Sequence, residues 1–442
     1  MDARVTEVDR FVAAFDLLDG SKLNGRNEQV RSLRESAIAS FKTLGFPGPK
    51  DEAWKYTPIA RAVSAGYEIT AADGQFLPDR ETVDAMRVPD LGGFAVVMVD
   101  GVFVEALSDV VDADGLTVCS LQTALKQHQE LVAEHLGTYT DHKSETFEAL
   151  NTAFVRDGIF VHVGRGVEVS RPIEIVTLNT CTARAFVQPR ILLVAEENSR
   201  VTVVELQRSL DNPDGGATFG NTVAEIYVGR HANVDHYRLQ LEGNEASQVC
   251  TTRVRQNDSS QFSTFTATLG GKLVRNNLHV LPDGEHCETH LHGLFVGRGE
   301  RHIDNHTFVD HARPNCESNE LYKGILDERS TGVFNGKVFV RRDAQKTNAY
   351  QSNKSVVLSD TARMFAKPEL EIYADDVKCS HGATTGQLDE EAMFYLQSRG
   401  ISFERARAIL LRAFAGDVLK LISPNAVREY LDTLITERIS ER

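Results

Sequence analysis

The sequence predicts a mainly β protein in which a solenoid of stacked strands is flanked by helical regions at both ends. From about residue 158 to 378, short apolar segments alternate with polar, often glycine-containing breakers, and no convincing helical pattern interrupts them. Several turns fall about 15 or 30 residues apart, as stacked coils require. Helical segments at both termini suit a solenoid, because its ends need caps. A sandwich or a barrel would also hold this many strands, but the turn spacing favours the solenoid.

Residues 1–155 are predicted to form a helical and mixed α/β region. Two helices are expected first, because apolar residues recur at helical spacing before residue 46. Asp100-Gly101 separates two short apolar runs and is typical of a β-hairpin. Ser120 is placed to cap a further helix. Trp54, the sole tryptophan, is interpreted as an aromatic residue that packs the N-terminal helices onto the next domain.

Residues 156–386 are assigned to the solenoid, and residues 387–442 to a C-terminal helical domain. In this tail, Asp389 and Ser402 are predicted helix N-caps, and Gly400 stands where a helix-ending glycine belongs. Just before the tail, residues 382–386 are predicted to form a glycine- and threonine-rich turn.

Composition excludes several classes of protein. The chain has 442 residues, enough for two or three domains, and a formal net charge of −15, which disfavours a nucleic-acid partner. No apolar run reaches transmembrane length, and the first ten residues carry three acidic side chains, which argues against a targeting peptide. Six cysteines without any CxxC spacing indicate a reduced, cytoplasmic protein without a disulfide framework.

Cys379 and His381 form the main candidate site. If this segment is extended, residues two apart point to the same face, so the thiol and the imidazole would meet one neighbour. These ligand types suit zinc, iron or an iron–sulfur cluster. Two ligands do not complete a tetrahedral site, so the others must come from elsewhere in the chain or from another chain. By spacing alone, an incidental pair is the more common explanation.

A second cluster holds half of the histidines, at positions 279, 286, 290, 292, 302, 306 and 311. Their spacing fits neither a zinc deaminase nor an H-E-x-x-H zinc enzyme, so they are interpreted as surface and turn histidines along one solenoid face. Cys287 is the residue of this window that would assist sulfur or cluster handling in a scaffold. Gly271-Lys272 lacks the rest of a P-loop, so the chain is not expected to hydrolyse ATP.

Several segments, in order along the chain, resemble the SufB/SufD family, the scaffold subunits of the Suf iron–sulfur cluster assembly machinery. They are residues 323–327 (KGILD), 332–337 (GVFNGK), 344–347 (AQKT) and 375–384 (DDVKCSHGAT). Near the N-terminus, residues 52–57 (EAWKYT) resemble an element of the SufD branch rather than the SufB branch. Ser380 and Gly382 also favour SufD, since SufB carries a glutamate near the corresponding Cys-x-His.

The resemblance implies a right-handed parallel β-helix that pairs with a SufB-like subunit along the β-helices. It implies that SufC ATPase subunits dock on the helical tail, within the stretch from Asp389 to Ile422. His381 falls on the SufD histidine that faces a SufB cysteine where a transient cluster forms, and Cys379 matches a cysteine of the motif. The chain would be a scaffold without a tightly bound cofactor when isolated, and a homodimer is then an option.

Two other functions fit parts of the sequence. A β-helix enzyme acting on polysaccharide would need converging acids or bases and aromatic platforms, and the predicted β region contains no tryptophan. A SufB-like protein that carries the cluster alone is the third interpretation. Identifying the chains that co-purify with this one separates the three.

Overall fold

A computed structural model describes residues 3–20, 28–64, 66–69, 76–180, 184–210 and 217–440. The helices lie near the two ends of the chain: α1 Ala3–Gly20, α2 Glu28–Leu44, α3 Ile59–Val63, α4 Arg80–Met86, α5 Leu121–Gln127, α6 Gln129–His135, α7 Thr146–Phe154, α8 Glu390–Ser398, α9 Phe403–Leu419 and α10 Asn425–Ser440. Two short 3-10 helices span Glu52–Trp54 and Glu105–Leu107.

The first nine strands belong to the N-terminal region and the start of the solenoid: β1 Glu68–Ile69, β2 Phe94–Val99, β3 Val102–Phe103, β4 Val111–Ala113, β5 Leu116–Ser120, β6 Ile159–Val163, β7 Ile173–Asn179, β8 Ala185–Val187 and β9 Arg190–Ala195. The later strands are longer and form the regular coils: β10 Arg200–Ser209, β11 Thr218–Val228, β12 Asn233–Gln240, β13 Ser247–Gln256, β14 Gln261–Thr268, β15 Leu273–Pro282, β16 Glu288–Gly297, β17 His302–His311, β18 Glu317–Leu326, β19 Thr331–Val340, β20 Asn348–Val357, β21 Arg363–Ile372 and β22 Lys378–Gly386.

Successive strands alternate between two parallel sheets. One sheet ends in the order β22-β20-β18-β16-β14-β12-β10, and the other in the order β21-β19-β17-β15-β13-β11. In the first sheet, the register stacks Gln261, Glu288, Glu317, Asn348 and Lys378 in one column. The predicted β-solenoid is therefore confirmed, with a coil close to the longer of the two turn spacings seen in the sequence.

The N-terminal region contributes strands to both sheets. β2 pairs with β7, and β5 pairs with β6, so the sheets extend across the predicted boundary at residue 155. The hairpin predicted at Asp100-Gly101 is present, with β2 antiparallel to β3. Ser120 caps α5 by accepting a hydrogen bond from Thr123 N.

One local prediction is wrong. Residues 382–386 do not form a turn but continue β22, which pairs with β20 from Lys378 to Gly386. Threonine is itself common in strands, and the backbone hydrogen bonds of the β20 ladder outweigh the turn preference of glycine here. The caps that follow are as predicted, since Asp389 accepts from the backbone of α8 and Gly400 has a φ of +82°.

Helices cover the outer faces of the two sheets. Phe11 of α1, Phe41 of α2 and Phe147 of α7 pack with Phe219 of β11 in one buried cluster. On the other sheet, α9 and α10 cover apolar side chains of β10 to β18. No helix among the described residues is long and apolar enough to cross a membrane.

Trp54 joins the N-terminal region to the solenoid, as the sequence predicted. Its ring centroid lies 5.2 Å from that of Phe147, and the Arg275 guanidinium of β15 lies 3.7 Å from the Trp54 centroid. Arg275 also donates to Ala53 O at 2.6 Å and to Asp304 Oδ2 at 3.1 Å. The aromatic ring therefore shields a buried cation that belongs to the solenoid.

Trp54→Ala should lower the free energy of unfolding by about 2–3 kcal/mol, because it removes packing area and the cation–π contact of Arg275. Urea denaturation followed by circular dichroism measures this change. Tryptophan fluorescence is not suitable, because the variant lacks the sole tryptophan. Phe76→Ala is the matched control, because Phe76 is 58% exposed, and it should change stability by less than about 0.5 kcal/mol. Equal effects of the two changes would contradict the structural role of Trp54.

Candidate site at the open end of the solenoid

Cys379 and His381 lie on β22, the last strand of its sheet, in the coil that ends the solenoid. Cys379 is opposite Ala349 and His381 is opposite Gln351 on β20. Ala349 and Gln351 are buried in the solenoid interior, so both site residues belong to the inward-facing row. The extended segment required for a shared face is therefore present.

The last coil is exposed because no further coil covers it among the described residues. His381 itself is exposed, whereas Cys379 is half-buried and packs near Val338 and Ala349. Burial raises the pKa of Cys379, so this thiol is protonated at neutral pH. A metal would have to displace that proton to bind the Cys379 sulfur.

A polar column continues inward from His381. Gln351 is one coil below it, and Gln351 Nε2 donates to Glu320 Oε2 on β18 at 2.9 Å. Within the described part of the chain, Gln351 Oε1 has no hydrogen-bond partner. Burial raises the pKa of Glu320 to about 7, because the hydrogen bonds of Thr307 and Gln351 offset only part of the lost hydration. Sequence reasoning missed this column, which becomes visible only when residues one coil apart are aligned.

Large apolar side chains surround the open end. Tyr350 of β20 is 48% exposed, and Tyr373, just after β21, is 58% exposed. Ile372 at the end of β21 is also exposed. Exposed aromatic groups at an unpaired sheet end are typical of surfaces that another chain covers.

Cys287 lies away from β22. It precedes β16, which β18 and β20 separate from β22, and its side chain is fully buried. No thiolate or imidazole of β22 can therefore share a metal with it without a large rearrangement. Its role in cluster or sulfur handling stays a prediction.

The histidine window differs from its interpretation as surface and turn residues. Only His286 is in a turn and exposed, and the other six lie in β15, β16 and β17. His306 Nε2 is 2.9 Å from Asp304 Oδ1, and His311 Nε2 is 2.9 Å from Ser318 Oγ. Burial lowers the pKa of His292 and His311 to about 4.

The pair on β22 brings one imidazole and one thiol to the same face, which is fewer ligands than a tetrahedral metal site needs. Over the ranges that the structure describes, no group of three or more His, Cys, Asp or Glu side chains is arranged to hold a metal ion.

A second exposed apolar surface lies on the C-terminal helices. Phe394 and Tyr395 of α8 are 73% and 58% exposed, and Phe403 at the start of α9 is 50% exposed. The opposite side of α9 is buried, with Leu411 and Val418 packed toward the sheet. The predicted docking stretch 389–422 therefore has one side seated on the solenoid and one side open.

Comparisons with known proteins agree over most of the chain. The family model described as "SUF system FeS cluster assembly, SufBD core domain" matches residues 177–414, and the model of the SufBD protein N-terminal region matches residues 16–175. An iron–sulfur cluster assembly SufBD family protein of Synechocystis is 34% identical over 94% of this chain and 92% of its own length. The iron–sulfur cluster assembly protein SufD of Escherichia coli is 28% identical over 89% and 90%, and that of Bacillus subtilis is 28% identical over 76% and 76%.

Glu320→Gln should change the pH dependence of stability. Because the folded-state pKa of Glu320, about 7, lies above the ordinary value of 4.5, the wild-type protein loses stability as the pH rises between these values, and the loss is complete above pH 7. The glutamine variant has no such loss, so relative to wild type it should gain about 2 kcal/mol between pH 5 and pH 8.

Urea denaturation at the two pH values checks this, with Glu317→Gln as the control. Glu317 begins the same strand but is exposed, so this variant should track wild type at both pH values. An identical pH response of Glu320→Gln and wild type would show that Glu320 ionises normally.

Proposed function

Because this chain belongs to the SufBD family of iron–sulfur cluster assembly proteins, we propose that it is a SufD-like subunit which pairs with a SufB-like subunit and docks the SufC ATPase. In this proposal the chain is a scaffold subunit, ATP hydrolysis belongs to SufC, and the cluster is cargo. The observation that carries it is the position of His381 on the exposed last coil, where the described residues bring together fewer than three possible metal ligands.

The open end of the solenoid is the proposed contact with the SufB-like subunit. β21 and β22 end their sheets, and the nearby side chains of Tyr350, Ile372 and Tyr373 are exposed. This apolar surface is exposed to solvent in the monomer. A second solenoid would pair with the strand edges or cover the surface. In the isolated chain, a second copy would cover the same surface, so a homodimer is expected in the absence of the partner.

His381 is the proposed cluster ligand of this subunit. Neutral imidazole binds iron without losing a proton, and beside thiolates of the partner it would hold the cluster less tightly than four cysteines would. Gln351 Oε1, one coil below, would accept a hydrogen bond from the ring nitrogen that does not bind iron and so fix the orientation of the ring. Cys379 is the weaker candidate, because its pKa is raised and its side chain is half-buried.

The tail supplies the proposed SufC surface. Phe394, Tyr395 and Phe403 are exposed aromatic residues on helices whose other side is anchored to the sheet. Such residues are common binding hot spots. If ATPase subunits bound here rotate, the motion would be transmitted through α9 to the solenoid. It would then move the interface that holds the cluster. A cytoplasmic location is part of the proposal, since free thiols such as Cys379 need a reducing compartment.

His381→Ala should lower the iron and sulfide recovered with the anaerobic complex about tenfold or more, while the complex itself still forms. The side chain is exposed, so its loss removes a ligand and leaves the core intact. Cys379→Ala is the matched control on the same face and should lose less, because the partner supplies thiolates. Normal cluster content in His381→Ala, or a larger loss in Cys379→Ala, would mean that the ligand is misassigned.

Replacing both Phe394 and Tyr395 by Ser should weaken the capture of SufC by about tenfold or more, as expected for two hot-spot residues. Deleting the whole tail is a poorer test, because it would uncover Leu294 and Ile325 of the sheet. Tyr350→Ser is the reciprocal control and should weaken pairing with the SufB-like subunit but not with SufC. Unchanged SufC binding by the double variant would place the docking surface elsewhere.

A further inference from the structure

One corner of the solenoid carries a column of small side chains, one from each coil. Ser260, Cys287, Cys316 and Thr347 immediately precede β14, β16, β18 and β20, and all four are buried. Backbone hydrogen bonds fix their stacking: Glu288 N donates to Ser260 O at 3.0 Å, and Glu317 N to Cys287 O at 2.8 Å.

Three of the four side chains, those of Ser260, Cys287 and Thr347, donate a hydrogen bond to the carbonyl oxygen three residues earlier. Ser260 Oγ donates to Asn257 O at 2.6 Å, and Thr347 Oγ1 donates to Ala344 O at 2.8 Å, each closing a turn three residues earlier. Cys287 Sγ does the same with Gly284 O at 3.3 Å. A thiol therefore occupies the place that a hydroxyl takes in neighbouring coils, and structure alone does not require cysteine there.

Two successive coils carry the thiol, and the two groups meet. Cys316 Sγ lies 3.2 Å from Gly284 O, and Cys287 Sγ lies 3.3 Å from the same carbonyl oxygen, so the two sulfur atoms converge on one acceptor. Neighbouring strands are roughly 4.8 Å apart. That spacing lies within the range of Cα separations, about 4.4–6.8 Å, that a disulfide spans.

We propose that Cys287 and Cys316 are an oxidative modification site, at which a peroxide converts the two thiols into a disulfide that cross-links adjacent coils. β20 separates the pair from β22, and this inference does not depend on the proposed cluster ligand. The cross-link would join β16 and β18, the two strands on which α9 packs.

The reaction balances with one peroxide molecule. The Cys287 thiolate attacks one peroxide oxygen, the O–O bond breaks, and a sulfenic acid and water result after protonation. The Cys316 sulfur then attacks the Cys287 sulfur, so the S–S bond forms, the S–O bond breaks, and a second water leaves. Together the thiols lose two electrons and two protons, all taken up by the peroxide. The contact with Cys316 lowers the pKa of Cys287, which makes Cys287 the better nucleophile.

The test uses the full, reduced chain treated with hydrogen peroxide, followed by alkylation of the remaining thiols in denaturant and mass spectrometry without reductant. We expect a loss of about 2 Da before alkylation and a cross-linked peptide pair containing Cys287 and Cys316, which separates on reduction. The oxidation state of half-buried Cys379 serves as an internal measure of exposure to peroxide.

Cys287→Ser and Cys316→Ser are suited to this test, because each puts in the column a hydroxyl like those of Ser260 and Thr347. At position 287 the hydroxyl can also keep the hydrogen bond to Gly284 O that closes the turn. Each should abolish the cross-link, whereas Cys250→Ser, at a buried cysteine of β13, should retain it. Free, alkylated thiols at both 287 and 316 after Cys379 has been oxidised would overturn the proposal. Oxidation of Cys287 to sulfinic acid with Cys316 still free would overturn it as well.

Discussion

The stacking of parallel strands is the constraint on which the rest of this structure depends. Backbone N–H and C=O groups of each strand point along the stack, so every coil needs a neighbour on both sides. At the first coils, β2 and β5 provide that neighbour, and helices cover the adjoining faces. At the last coil, β21 and β22 have a neighbour on one side within the described residues. The exposure of His381, Tyr350 and Tyr373 follows from this asymmetry.

Polar side chains occupy part of the solenoid interior beside an apolar cluster, and the charge of the neighbouring groups decides how its carboxylates titrate. Burial opposes the ionisation of Glu205, yet Arg238 and His236 hydrogen-bond to it at 2.8 and 2.7 Å and bring its pKa down to about 2. Glu320 is as deeply buried, and its hydrogen bond from the Gln351 amide offsets only part of the burial cost, so its pKa rises to about 7. Burial therefore raises the pKa of one interior carboxyl group, whereas contacts with Arg238 and His236 lower that of the other.

Sequence reasoning identified features that depend on neighbouring residues in the chain. The hairpin at Asp100-Gly101 and the caps at Ser120 and Asp389 are of this kind, because the same few residues determine and form them. The prediction of a turn at residues 382–386 was wrong, because the hydrogen-bond ladder with β20 overrides the turn preference of glycine. The contact of Cys287 with Cys316 was missed for a related reason. The two cysteines are one coil apart in the sequence, and only the register of β16 with β18 shows that this places them next to each other.

β18 connects the two proposed binding surfaces, because alternate residues of a strand face opposite sides of its sheet. On the outward side, buried Lys323 donates to Phe414 O at 2.8 Å and to Asp417 Oδ2 at 2.9 Å, which anchors α9. On the inward side of the same strand, Glu320 begins the column that runs through Gln351 to His381. A shift of α9 driven from the tail would pull on β18 first, and the ladder to β20 and β22 would carry it to the open end. Close packing makes such a stack move as a unit, so a docked ATPase and a shared cluster would be coupled through three strands rather than through a flexible linker.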